Sequence, residues 1–228
     1  MKRSSLFVVT LIASLLVLVA CAQLPEECRG QDKTDTNTCL FTLGSAGDTA
    51  ACKAITTAKL RNACYTEAAM ALDDANVCAK ISDAASAQYC ARNLIIRSGD
   101  AAACGSLTYT PARDSCHYTL AKETMNWTVC AEINDEKYRD SCYDSLAGKL
   151  TDPYACLPIV NVTTRDDCLF RRSIAALNAE TCTNLTTANR RAYCILNVAL
   201  GTKNVELCYE IEDVAATRLC FEKLDPDG

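Results

Sequence analysis

The chain has 228 residues, a formal net charge of −5, one histidine and 17 cysteines. Half of it is hydrophobic, which excludes an intrinsically disordered chain, and its acidic balance excludes the basic stripe that nucleic-acid binding requires. A single histidine excludes any multi-histidine metal site and makes every histidine-dependent catalytic group rest on His117.

The chain opens with Met1-Lys2-Arg3-Ser4-Ser5 and then runs apolar from Leu6 to Ala20. A short basic region followed by ~15 apolar residues has the form of a secretory signal peptide, and it falls short of the ~20 residues that cross a bilayer. Residues 1–20 are therefore expected to be a signal peptide and 21–27 a linker. The run ends Leu18-Val19-Ala20-Cys21, which resembles the lipobox of prokaryotic lipoproteins. That resemblance implies cleavage before Cys21 and a diacylglycerol on its thiol, hence a membrane anchor on an extracytoplasmic protein. The alternative is a signal peptide cut after Ala20-Cys21-Ala22, which releases a soluble secreted chain. Either cleavage removes Lys2 and Arg3 and no acid, so the mature chain is more acidic still.

From Cys52 to Cys220 the cysteine gaps alternate 12, 14, 12, 14 without exception. The period of 26 is sustained over seven units, and Cys28 with Cys39 marks a looser unit before them. A fixed period of this length signals stacked supersecondary units. Other residues keep phase with the first cysteine of each unit. Four before it stand Asp48, Asp74, Asp100, Asn126, Asp152, Asn178 and Asn204, and three after it stand Ile55, Ile81, Leu107, Ile133, Ile159, Leu185 and Ile211. Asp or Asn ahead of an apolar pair is an N-cap signal. It predicts a short helix from about three residues before the first cysteine to three after. A polar pair such as Asn134-Asp135 then makes a turn, and a second helix of ~14 residues runs through the second cysteine. There Cys142, Tyr143 and Leu146 share one face. The predicted fold is all-α, a right-handed αα-hairpin solenoid of eight ~26-residue repeats forming one domain over 28–228.

Two cysteine pairings fit the spacing, one within each unit and one between neighbours. Pairing between neighbours orphans Cys28 and Cys220. Pairing within units uses sixteen cysteines and leaves Cys21 over. Parity thus favours Cys28–Cys39, Cys52–Cys64, Cys78–Cys90, Cys104–Cys116, Cys130–Cys142, Cys156–Cys168, Cys182–Cys194 and Cys208–Cys220. The helices must approach closely at each bridge, which the small residues Ala51, Ala63 and Ala103 would permit. No C-x2-C pair or C-x-x-C-H run occurs, so neither a zinc knuckle, an iron–sulfur site nor a haem site is expected, and no cofactor is implied.

Nine residues after the first cysteine stand Arg61, Arg113, Arg139, Arg165 and Arg191, with Ala87 and Thr217 as exceptions. A repeat-wide residue serves the repeat, so these arginines are expected to satisfy carbonyls of the short helix or the N-cap acid of a neighbouring unit rather than form an anion-binding stripe. His117 occupies the place of Tyr65, Tyr143 and Phe221 and is expected in the core or a groove. Trp127 stands beside a helix start as a candidate contact residue. Asn126, Asn161 and Asn184 open N-x-[ST] sequons and are candidate glycosylation sites in a glycosylating host.

The architecture resembles the cysteine-rich Sel1-like repeat proteins, secreted solenoids of disulfide-linked αα-hairpins, although their repeats are longer and their consensus differs, so no functional residue carries over. The expected function is a non-enzymatic binding or scaffold module for protein or peptide partners, with specificity in the residues that vary between units. The alternatives are an envelope-acting hydrolase, which would need acids such as Glu123, Glu132 and Asp135 to converge with His117, and a spacer in a cell-surface layer.

Overall fold

The computed structural model describes residues 24–30 and 32–225. The expected signal peptide and Cys21 lie outside the described residues. We number the helices α1–α16 in chain order, 3-10 segments included. The short ones are α1 (Glu26–Cys28), α3 (Thr49–Ala54), α5 (Ala75–Cys78), α7 (Ala101–Ser106), α9 (Trp127–Glu132), α11 (Pro153–Cys156), α13 (Ala179–Cys182) and α15 (Val205–Glu210). The long ones are α2 (Lys33–Ser45), α4 (Ala58–Leu72), α6 (Ala84–Ser98), α8 (Thr110–Glu123), α10 (Glu136–Leu150), α12 (Val162–Ala175), α14 (Ala188–Thr202) and α16 (Val214–Leu224). No strand occurs among the described residues. The protein is thus an all-α repeat in which each unit pairs a short helix with a long one. Five of the short segments, α1, α7, α9, α11 and α15, are 3-10 rather than α-helical. So short a segment closes few i→i+4 bonds, and the tighter i→i+3 turn suffices.

Each short helix begins where the sequence places its cap. The side chains of Asp48, Asp74, Asp100, Asn126, Asp152, Asn178 and Asn204 all accept backbone N–H groups of the first turn. The apolar residue three after the cysteine ends the segment. Its N–H donates to the cysteine carbonyl in every unit from Ile55 to Ile211, and its side chain is buried throughout.

The residue before each cap carries a feature the sequence does not announce. Gly47, Asp73, Gly99, Met125, Thr151, Leu177 and Lys203 all adopt positive φ, and only two of them are glycine. This is a left-handed C-terminal cap on the preceding long helix. In six of the seven the next N–H, that of the capping Asp or Asn, reaches back five residues, as from Asp152 to the Ala147 carbonyl at 3.2 Å and from Asn204 to Ala199 at 3.1 Å, whereas the Asp100 N–H meets Ser98 Oγ at 3.4 Å. One residue thus stops one helix and starts the next.

All eight disulfides join a short helix to the long helix of the same unit, with Cα–Cα separations from 5.5 to 5.8 Å. A closed loop of this size contributes about 3 kcal/mol in the chain-entropy model. Of the small residues expected to admit the bridges, Ala51 is buried beside Cys52, Ala103 is half-buried and Ala63 is exposed. A further row of small residues lies five after the second cysteine, at Gly44, Ala69, Ala121, Ala147, Ser173 and Ala199, all buried. A Cβ on Gly44 would strike the sulfurs of both Cys52 and Cys64, the bridge of the following repeat.

Consecutive repeats are also joined by a side chain two residues before the second cysteine. Asp114 accepts from the backbone N–H of Asn134 (3.1 Å) and Asp135 (3.0 Å), and Asp140 from those of Val160 (3.0 Å) and Asn161 (2.9 Å). Asp166 accepts from the Thr186 N–H at 3.2 Å and from the Thr186 hydroxyl. Asn37 and Asn62 do the same for the turns at Thr56 and Ser82. The residues expected to form one domain group into two compact units, one ending at Leu94 and one beginning at Ile95. The first has its apolar core from Cys28 to Leu94 and the second from Ala121 to Cys220. The row of small residues is interrupted by Ile95, the first residue of the second unit.

Candidate binding site

Three of the five arginines act within their own repeats. Nη1 of Arg61 donates to the Ile55 carbonyl at 3.0 Å, that of Arg139 to Ile133 at 3.2 Å and that of Arg191 to Leu185 at 2.8 Å and Thr186 at 3.3 Å. Thr217, which replaces arginine in the last repeat, does the same with its hydroxyl, 2.8 Å from the Ile211 carbonyl. In these four repeats the side chain nine residues after the first cysteine satisfies the carbonyl at the end of the short helix, a group the helix leaves unpaired. Among the described residues Arg113 and Arg165 make no such bond. Arg113 Nε is buried without a hydrogen-bond partner.

Arg113 instead lines a cavity of about 600 Å³ within the second unit. The short helices α7 and α9 form its sides through Ala101, Ala102 and Gly105 and through Thr128, Val129 and Glu132, and α8 contributes Arg113 and His117. The same groove recurs between the seventh and eighth repeats, where Thr183, Arg191, Ile195, Glu210 and Glu212 enclose only about 150 Å³. Side-chain volume distinguishes them. Gly105 stands where the seventh repeat has Thr183, and a Cβ on Gly105 would meet nothing within 4 Å. With Ala101 and Ala102, it leaves α7 thinly covered.

His117 is 4 % exposed and takes the place of Ile195 in the smaller groove. Its Nδ1 is buried with no hydrogen-bond partner, a situation that costs about 1–3 kcal/mol. Burial holds its pKa below the usual histidine value. The carboxylates of Glu132 and Asp114 pull upward against that, and the Arg113 guanidinium adds to the downward push. At Asp114 burial raises the pKa, but hydrogen bonds from the Asn134 side chain and from the N–H groups of Asn134 and Asp135 outweigh it, aided by Arg113. Its carboxyl therefore stays below the ordinary aspartate range and is charged at neutral pH. Arg113 and Glu132 bring opposite charges to one cavity, and neither takes part in an ion pair among the described residues.

Of the acids named for a hydrolase, Glu132 reaches this cavity with His117. Glu123 and Asp135 are not among its lining residues, and Asp135 caps α10 through the Tyr138 N–H at 2.8 Å. The cavity's hydroxyl, on Thr128, is 2.7 Å from Asn126 Oδ1. Trp127 is half-buried, with its ring 6.3 Å from that of Tyr143. The sequon residues Asn126 and Asn161 serve as helix caps through Oδ1, and Asn184 is exposed. No group of three or more potential metal ligands occurs among the described residues, and no helix among them is long and apolar enough to cross a membrane. No protein-family model, curated protein or solved structure matches the chain.

Proposed function

We propose that the protein is an extracytoplasmic binding module, anchored through a lipid on Cys21, that holds peptide or protein ligands without transforming them. The observation that carries this reading is the cavity between α7 and α9, which opens where Gly105 and His117 stand in place of the Thr183 and Ile195 of the smaller groove and where Arg113 keeps the repeat's arginine but not its bond to the short-helix carbonyl. Eight disulfides fit an oxidising compartment, and a stapled repeat supplies the preorganised walls that lower the cost of binding. A helical-repeat surface also suits extended ligands.

A hydrolase is the second reading, favoured by His117 and Glu132 on one cavity. Against it, the cavity holds no serine or cysteine, its threonine is engaged by Asn126, and His117 has no carboxylate bonded to Nδ1. A triad-type mechanism needs a nucleophile in reach of its base.

A peptide-display selection on the oxidised mature protein tests the module. It is run beside a Gly105→Thr/His117→Ile variant that converts the groove to its seventh-repeat form. Peptides enriched by the native protein and lost with the variant support the reading, whereas equal enrichment on both places the binding elsewhere. Turnover of peptide or envelope polysaccharide abolished by His117→Ala would replace it with the hydrolase. The anchor is checked by the intact mass of detergent-extracted protein, where an acylated Cys21 is expected.

A further inference from the structure

We infer that the cavity between α7 and α9 takes a small zwitterion, with an ammonium group held at Glu132 and a carboxylate or phosphate at Arg113. The inference rests on the binding reading above and specifies its ligand. Three observations carry it. Both side chains line the cavity, and neither is neutralised by an ion pair among the described residues. The smaller groove of the same register also holds an arginine and a glutamate, Arg191 and Glu210, but there the guanidinium is occupied by the carbonyls of Leu185 and Thr186. Arg113 makes no such bond and is left for a ligand. The space, about 600 Å³ against about 150 Å³, falls within the range of small-molecule sites.

The charges decide the ligand class. An anion alone would face Glu132, and a cation alone would face Arg113. An uncharged guest would strip water from both charges without replacing it. A molecule with both groups answers each, and the guanidinium offers a carboxylate or phosphate two parallel donors. A short peptide with free ends has this chemistry, and so does the phosphoethanolamine part of a lipid headgroup.

The test is isothermal titration of the oxidised mature protein at low salt with L-alanyl-L-alanine and with phosphoethanolamine. N-acetyl-L-alanyl-L-alanine, which lacks the ammonium, and L-alanyl-L-alanine amide, which lacks the carboxylate, serve as controls. One zwitterion should bind, and which one names the source. If it is the dipeptide, the two blocked forms should bind at least tenfold more weakly. If it is phosphoethanolamine, ethanolamine and inorganic phosphate should each bind at least tenfold more weakly. Glu132→Gln should erase discrimination against the form lacking the ammonium, and Arg113→Gln against the form lacking the anion. Gly105→Thr/His117→Ile should abolish binding while retaining a helical spectrum and no new free thiol. A blocked form that binds as tightly as its parent overturns the inference, as does zwitterion binding that survives all these variants or failure of both zwitterions to bind. If peptides selected through the cavity persist while both zwitterions fail, the ligand class is refuted and the binding module stands. If both fail, neither stands.

Discussion

The joint between repeats can be tested at Asp140. This carboxylate is 4 % exposed and accepts the N–H groups of Val160 at 3.0 Å and Asn161 at 2.9 Å, which ties α10 to the turn of the next repeat. Asp140→Ala removes both acceptors. Hydrogen bonds to a charged group contribute about 1.5–3 kcal/mol each. Val160 and Asn161 are themselves exposed, so water recovers part of each, and a total loss of about 2–3 kcal/mol is expected. Asp140→Asn retains one oxygen but turns an N–H₂ toward the second donor, so it should lose more than half as much. Repeat proteins can unfold piecemeal, so the informative assay is amide hydrogen exchange at native conditions with disulfides intact. Protection at Val160 and Asn161 should fall about 30-fold or more, since 1.4 kcal/mol is about a factor of ten, whereas the turn at Asn134, held by Asp114, should change little. Unchanged protection at both amides in Asp140→Ala would refute the claim that this side chain couples the repeats.

Other substitutions follow from the same geometry. Gly44→Ala forces the Cys52–Cys64 bridge to shift and should destabilise the first unit by about 1–3 kcal/mol, read as slower oxidation and a lower melting temperature. Thr151→Gly relieves a β-branched residue at φ 52°. The left-handed region costs about 1–2 kcal/mol against about 0.5–1 for glycine entropy, so a rise of about 1–3 °C is expected on calorimetry. His117→Phe should raise stability at acidic pH. The folded pKa of His117 is depressed, so its contribution is complete above the unfolded value of about 6.5 and is lost as pH falls through the folded value. The phenylalanine variant should not show that slope, and an identical pH–stability curve would contradict it. Asp114 acts in the same direction in a lower window. Its depressed pKa gives stability that is full above about pH 4 and lost below it, and Asp114→Asn should flatten that limb of an acid titration.

The period, the caps and the pairing were legible because each depends on residues close in sequence. An Asp or Asn four before a cysteine captures N–H groups two and three residues on, and a bridge spanning 12 residues follows from parity. The left-handed caps were hidden because Met125, Thr151, Leu177 and Lys203 are residue types that give no turn signal, and Asp73 beside Asp74 reads as one more capping acid. The joints between repeats were half visible. Asp114, Asp140 and Asp166 could be seen to follow the arginines, but their partners lie 20 or 21 residues ahead, where only the stacking of hairpins brings them. The same holds for Gly44, which makes room for the next repeat's disulfide rather than its own.

His117 stood out in the sequence as an exception to an apolar position, while Gly105 did not. The pair gains meaning only when the two grooves of equal register are compared. At the seventh repeat Thr183 and Ile195 close the groove, and Arg191 spends its guanidinium on the end of its own short helix. In the fourth, Gly105 withdraws side-chain volume, and Arg113 leaves the Leu107 carbonyl without that partner. An isolated loss of volume would cost packing, and an isolated buried imidazole would cost an unmet hydrogen bond. Both costs fall on one repeat, beside the one arginine of the two grooves that is not engaged by carbonyls. The proposed binding site rests on these two departures and on that unengaged guanidinium.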